Sequence, residues 1–198
     1  MQKLYRQLTT LAALLWLSAC THLQPTSVIG TPDHALQARL AAIHSWNVEG
    51  KLAVRTAQSS DSARLQWKQD DTAFDIHLSG PAGLKATHIY GMPGGVVFEQ
   101  GGKTEQAGSA ETLSEKLIGW PLPTTELTSW LLGLPAGNSQ IKYISYTPDG
   151  LLSQLTQGKW QIHFSDYQPA RDVMLPGKIE AERGDTRITL VIKQWKRP

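Results

Sequence analysis

The chain has 198 residues, 40% of them hydrophobic and 18% charged, with 19 basic side chains, 17 acidic ones and one cysteine. Lys3 and Arg6 fall in the first 19 positions with no acid beside them, so the remainder carries 17 charges of each sign and is neutral. That balance gives no argument for nucleic acid or for polybasic attachment to a lipid surface, and one cysteine excludes an internal disulfide.

The first segment is a leader. Lys3 and Arg6 precede Leu8–Leu17, apolar except for Thr9 and Thr10 and too short to cross a bilayer as a permanent helix. Leu17-Ser18-Ala19-Cys20 closes it. A small residue pair directly before a cysteine is the lipobox of bacterial lipoproteins, in which the thiol takes a diacylglycerol, the leader is cut before it and the new amine is acylated. The alternative is an ordinary secretory peptide with a chance cysteine. Lipidation also removes a lone thiol from an oxidising compartment. No covalent group other than this N-acyl diacylglyceryl modification at Cys20 is expected, and no other cofactor. Thr21 stands where Asp would retain a lipoprotein in the inner membrane under the enterobacterial rule, which implies the outer membrane and its periplasmic face. No later run is apolar enough to span, so the mature chain is anchored, not inserted.

The expected divisions are a signal peptide over 1–19, a lipidated tether over 20–31 and one domain over 32–198. The tether is polar and turn-prone, with roughly 15–20 Å of play. Thr31 is the expected cap of a helix with Pro32 at its first position, and Leu36, Leu40 and Ile43 form its stripe.

From Trp46 the period becomes two. Trp46, Val48, Leu52 and Val54 alternate with polar residues, with Gly50 breaking the file; Ala63, Leu65 and Trp67 follow, then Phe74, Ile76 and Leu78. These predict an antiparallel meander with one apolar face, continued by 86–92 and 96–100 around Pro93-Gly94-Gly95. Ser109 and Gly119 bracket a short capped helix, and Trp120-Pro121-Leu122-Pro123 is a rigid apolar connector. Thr124 or Thr125 caps a second helix whose face is Leu127, Trp130, Leu131 and Leu134, ended by Gly133 and Pro135. Strands resume at 141–146, 151–156, 160–164, 177–182 and 187–195. The fold class is mainly β: about ten or eleven strands with a short N-terminal helix, in a sheet too large to lie flat and expected to curl. Helices on its concave side would leave room for a hydrophobic hollow.

Catalytic signatures are missing from the sequence. The six histidines show no metal-ligand spacing. His77 and His88 either face each other across a hairpin or stand as solvated strand residues, and the second reading is adopted. There is no Gly-x-Ser-x-Gly elbow and no phosphate loop. Ser139-Gln-Ile-Lys142 begins a strand where the Ser-x-x-Lys chemistry needs a helix start, and Asp70, Asp71 and Asp149 read as turn residues. Neither an enzyme nor a metal site is expected. The tryptophans divide: Trp120 and Trp130 are assigned to a cavity lining, Trp46, Trp67 and Trp160 to lining or ordinary core, and Trp195 to plain packing. Arg55, Arg64 and Lys85 would meet an acidic partner rim or form a solvated face.

Several ordered motifs resemble one family. Trp46-(x3)-Gly50-Lys51-Leu52-Ala53-Val54, Ala63-Arg64-Leu65-Gln66-Trp67, Leu78-Ser79-Gly80-Pro81-Ala82-Gly83, Gly119-Trp120-Pro121-Leu122-Pro123 and Trp130-Leu131-Leu132-Gly133-Leu134-Pro135 are similar to the outer-membrane lipoprotein receptor LolB family, over essentially the whole mature chain. The resemblance implies an open, unclosed antiparallel β-barrel lined by apolar side chains, with the two-helix insert covering a hydrophobic cavity. It also implies a monomer that accepts lipoproteins from the periplasmic carrier LolA and releases them into the inner leaflet of the outer membrane, binding their acyl chains and contacting phospholipid. Expected lining residues are Trp46, Leu52, Leu65, Trp67, Ile76, Leu78, Trp120, Leu127, Trp130, Leu131 and Trp160. The turn Pro81-Ala82-Gly83-Leu84 corresponds to the family's membrane-insertion loop. The family's large residue is replaced by Ala82, so Leu84 either takes over that role or tucks into the core. A second function class stays open, a structural or sensor lipoprotein that binds a protein partner with its curved sheet.

Overall fold

The computed structural model describes residues 27–80, 86–92 and 94–197. In chain order these form β1 (Ser27–Ile29), α1 (His34–Ala41), β2 (Ser45–Arg55), β3 (Ser60–Asp70), β4 (Ala73–Ser79), β5 (Thr87–Met92), β6 (Gly95–Gln100), β7 (Lys103–Ala107), α2 (Ala110–Ile118), α3 (Thr124–Leu131), β8 (Ile141–Tyr146), β9 (Leu152–Gln157), β10 (Trp160–Ser165), β11 (Gln168–Ala170), β12 (Val173–Leu175), β13 (Lys178–Arg183) and β14 (Thr186–Lys196).

Twelve strands make one sheet in the order β1-β8-β9-β10-β13-β14-β2-β3-β4-β5-β6-β7, and β11 and β12 form a separate hairpin. The edges β1 and β7 do not pair, so the sheet is open. Strict alternation along β2, β3 and β10 sends every second side chain to one buried face. Registered pairing turns those side chains into rows. Val48, Trp67, Ile76, Ile89 and Phe98 lie opposite one another across β2 to β6. Phe164, Ile179, Leu190, Leu52 and Ala63 do the same across β10, β13, β14, β2 and β3.

The expected strands are all present, and four more join them. β1 lies in the stretch read as tether, which therefore ends earlier than expected. It pairs in parallel with β8, Val28 opposite Ile144. Its side chains are exposed, so no burial alternation announces it. β7 is polar apart from Ala107, but its hairpin turn Gly101-Gly102 has φ of +59° and +78°, the geometry that two consecutive glycines adopt readily. β11 and β12 are only three residues each.

Gly50 does not break β2. Ile192 of β14 lies opposite it, beside a bulge between Ile192 and Gln194. A Cβ at Gly50 would stand 2.2 Å from the Val191 carbonyl oxygen. The glycine admits the neighbouring backbone.

Two caps differ from expectation. Asp33, not Thr31, caps α1, its carboxylate accepting from Leu36 N–H at 3.0 Å, which moves Pro32 ahead of the helix. Thr124 is the first residue of α3 and is itself buried; Pro123 precedes it and offers no side-chain cap. Neither Thr124 nor Thr125 is the cap, because the Pro121–Pro123 connector already sets the direction of entry. α2 is as expected: Ser109 Oγ accepts from Thr112 N–H at 3.2 Å, and Gly119 closes the helix at φ +81°.

Candidate functional site

The eleven lining candidates lie in one contiguous cluster, none more than 5% exposed. Trp46 and Leu52 come from β2, Leu65 and Trp67 from β3, Ile76 and Leu78 from β4, and Trp160 from β10. They share the buried face with Leu127, Trp130 and Leu131 of α3 and with Trp120 of the connector. Two aromatic groups stand out. Trp46 packs on Trp67 and Trp195 with ring centroids 5.6 Å apart in both pairs, and Trp130 meets Trp160 edge-on at 5.9 Å. The insert packs into the same buried cluster as the sheet face. A surface hollow of about 860 Å³ belongs to the opposite, polar side, lined by Glu49, Lys51, Ser62 and Arg64 among others.

α2 shows that the sheet curls. Lys116 Nζ lies 2.6 Å from Glu105 of β7, and Arg183 Nη1 donates to Glu111 at 2.9 Å from the end of β13. β7 and β13 are seven strand positions apart, roughly 34 Å on a flat sheet. Residues 111 and 116 are separated by only about 7.5 Å along the helix axis. One short helix touches both strands because the sheet bends round it, so the apolar face is concave.

Polar groups hold the insert in place. Ser114 of α2 is buried; its hydroxyl donates to Glu111 C=O at 3.1 Å and accepts from Leu122 N–H at 2.7 Å, pinning the connector. Gln157 of β9, also buried, accepts from Trp130 Nε1 at 3.3 Å and Ala136 N–H at 2.9 Å. Its amide donates to the Ala136 and Ser139 carbonyls. The Arg183 guanidinium lies 4.6 Å above the Trp160 ring. Periodicity could not reveal Ser114 or Gln157, because each is a buried polar residue held by hydrogen bonds to groups outside its own element.

The indole N–H groups of Trp46 and Trp120 are buried without a hydrogen-bond partner among the described residues. Each such group costs about 1–3 kcal/mol. Elsewhere, Trp67 donates to Gln69 and Trp195 to the Pro176 carbonyl. Tyr167 donates to Leu152 C=O at 2.6 Å, and burial pushes its phenol well above the ordinary range.

His77 and His88 are not independent solvated residues. The β4–β5 register places them opposite each other, stacked at 4.1 Å with Asp75 between their Nε2 atoms. Arg55 and Arg64 project from the polar side. Cys20, the Pro81-Ala82-Gly83-Leu84 turn and Lys85 lie outside the described residues.

A curled open sheet whose apolar concave face is covered by a short helical insert defines a class of fold. A LolA-superfamily protein from Nitrosomonas europaea matches it with a TM-score of 0.54 over 85% of this chain and 94% of that one, at 11% identity. A DUF1329-family protein from Desulfovibrio piger matches with the same score and coverage at 8% identity. Sequence narrows the class. The family model described as outer membrane lipoprotein LolB matches residues 44–195. The outer-membrane lipoprotein LolB of Cellvibrio japonicus is 40% identical over 98% of both chains, and that of Stutzerimonas stutzeri 35% identical over 92% of this chain and 91% of its own. The chain belongs to the outer-membrane lipoprotein LolB family.

Proposed function

We propose that the protein is held by lipid on Cys20 at the periplasmic face of the outer membrane. There it takes lipoproteins from the carrier LolA, shelters their acyl chains against its concave face and passes them into the inner leaflet. The observation that supports this most is the cover on that face: two short helices rather than a second sheet, tied at the rim by partly exposed ion pairs.

The energetics suit a handover. Three acyl chains in water cost on the order of 30 kcal/mol at about 0.8 kcal/mol per methylene, so cargo must move between apolar surfaces. Rim pairs of the Glu111–Arg183 kind are worth about 0–1 kcal/mol each, a weak restraint on lifting the insert. Once it lifts, acyl chains replace side-chain contacts of the same non-directional kind. The unpaired N–H groups of Trp46 and Trp120 are donors that an ester or amide carbonyl of the cargo would satisfy. Pro81-Ala82-Gly83-Leu84 supplies the membrane contact, with Leu84 providing the bulk that Ala82 lacks.

The test uses the leaderless chain with Cys20→Ala and a carrier loaded with a labelled lipoprotein. Transfer of label to the folded chain supports the proposal, and retention on the carrier overturns the receptor reading. Leu84→Glu is expected to take up cargo normally and fail to deliver it to phospholipid vesicles. Normal delivery would return Leu84 to plain packing.

A further inference from the structure

We propose that Asp75, His77 and His88 form a binding site for a divalent transition-metal ion of the zinc type on the polar face of the β4–β5 hairpin. His77 Nε2 lies 2.9 Å from one oxygen of the Asp75 carboxylate, and His88 Nε2 lies 3.1 Å from the other. One ligand atom from each residue falls within 4.8 Å of the other two. Two imidazoles and a carboxylate are a donor set for zinc, copper or nickel, and zinc takes nitrogen ligands at about 2.0–2.1 Å. The rings stack 7° from parallel. To converge their Nε2 lone pairs on an ion beside Asp75, the rings must tilt out of this stack, which rotation about χ2, the soft torsion of histidine, provides.

The surroundings are built as metal sites are. His88 Nδ1, on the far side of its ring, lies 3.4 Å from Glu99 Oε2, and Tyr90 donates to the other Glu99 oxygen at 3.1 Å. A carboxylate that receives the second N–H of a ligating histidine fixes its tautomer and strengthens it as a ligand. His77 and Asp75 are about half exposed, so water ligands can reach an ion held there. The site joins β4 to β5 one rung from Leu78 and Thr87, where their ladder ends. A bound ion would brace the hairpin there, whatever the cargo of the concave face.

The experiment is calorimetric titration of zinc chloride into the leaderless Cys20→Ala chain, with thermal unfolding recorded at each ratio. One ion per chain is expected, with an unfolding midpoint that rises with zinc and falls back on adding a chelator. His77→Ala and His88→Ala should each weaken binding at least tenfold while remaining folded without metal. Glu99→Gln should weaken it by about 10- to 100-fold, the usual effect of losing such a support. His163→Ala, an exposed histidine on β10, should bind as the parent does. No heat of binding, one ion per two chains, or affinity unchanged in His77→Ala and His88→Ala would each overturn the site.

Discussion

Glu111 and Arg183 are 72 positions apart in sequence and share a hydrogen bond of 2.9 Å. Their contact joins the start of α2 to the end of β13, while Lys116 near the end of the same helix holds β7. The pair is a clasp between the cover and the sheet, and Trp160 beneath Arg183 makes it also a lid over one aromatic group of the concave face.

Arg183→Ala is therefore expected to lower stability by about 1 kcal/mol, the sum of a partly exposed ion pair and a cation–π contact. It should also speed uptake of a fluorescent fatty acid. A double-mutant cycle with Glu111→Gln measures the pair directly. Uptake no faster than in the parent would show that the clasp does not restrain the cover.

Trp120→Phe and Trp130→Phe should differ. The first removes an N–H that has no partner, whereas the second leaves the buried Gln157 amide oxygen one donor short. Equilibrium unfolding is expected to show Trp130→Phe less stable than Trp120→Phe by about 1 kcal/mol or more. Trp120→Phe should instead show its effect as weaker acyl-ester binding.

Gln157→Ala strands the indole N–H of Trp130, the N–H and C=O of Ala136 and the C=O of Ser139 in one step. A loss of about 4 kcal/mol or more in denaturant unfolding is expected, since each buried unpaired group costs about 1–3 kcal/mol. Amide exchange at Ala136 should accelerate.

Gly50→Ala tests the close approach of β14. The added Cβ has no room beside the Val191 carbonyl, and the atom it meets is backbone, so the two strands must part. Destabilisation of about 2 kcal/mol or more is expected, with the loss read from the shift in denaturant midpoint.

Tyr167 sets an alkaline limit. Burial raises its phenol above the ordinary value, so the unfolded chain releases that proton at a lower pH than the folded one. Its contribution is full below about pH 10 and falls as pH climbs beyond that. Unfolding measured from pH 9 to 11 should decline less steeply in Tyr167→Phe than in the parent.

Local signals carried much of the secondary structure. The period-two files of β2, β3 and β4, the Ser109 and Gly119 ends of α2, and the apolar faces of both insert helices are visible in sequence because each is set by contacts within a few residues. Alternation also places Trp46, Leu52, Leu65, Trp67, Ile76, Leu78 and Trp160 on the inward face of their strands, and the structure buries them in one cluster with Trp120, Leu127, Trp130 and Leu131.

Other features needed the chain to close on itself. β1 and β7 are held by backbone bonds at the two sheet edges, where side-chain pattern has little to say. Asp33 displaced Thr31 as a cap, and Gly50 became a bulge partner through the approach of β14 from 140 residues away. His77 met His88 only when the β4–β5 register was set. The polar clasp, the Gln157 bonds and the curl that makes the apolar face concave join residues with no periodic relation. Sequence specified which side chains are apolar and how often they recur; tertiary structure decided which polar groups meet, because those bonds depend on distances across the fold.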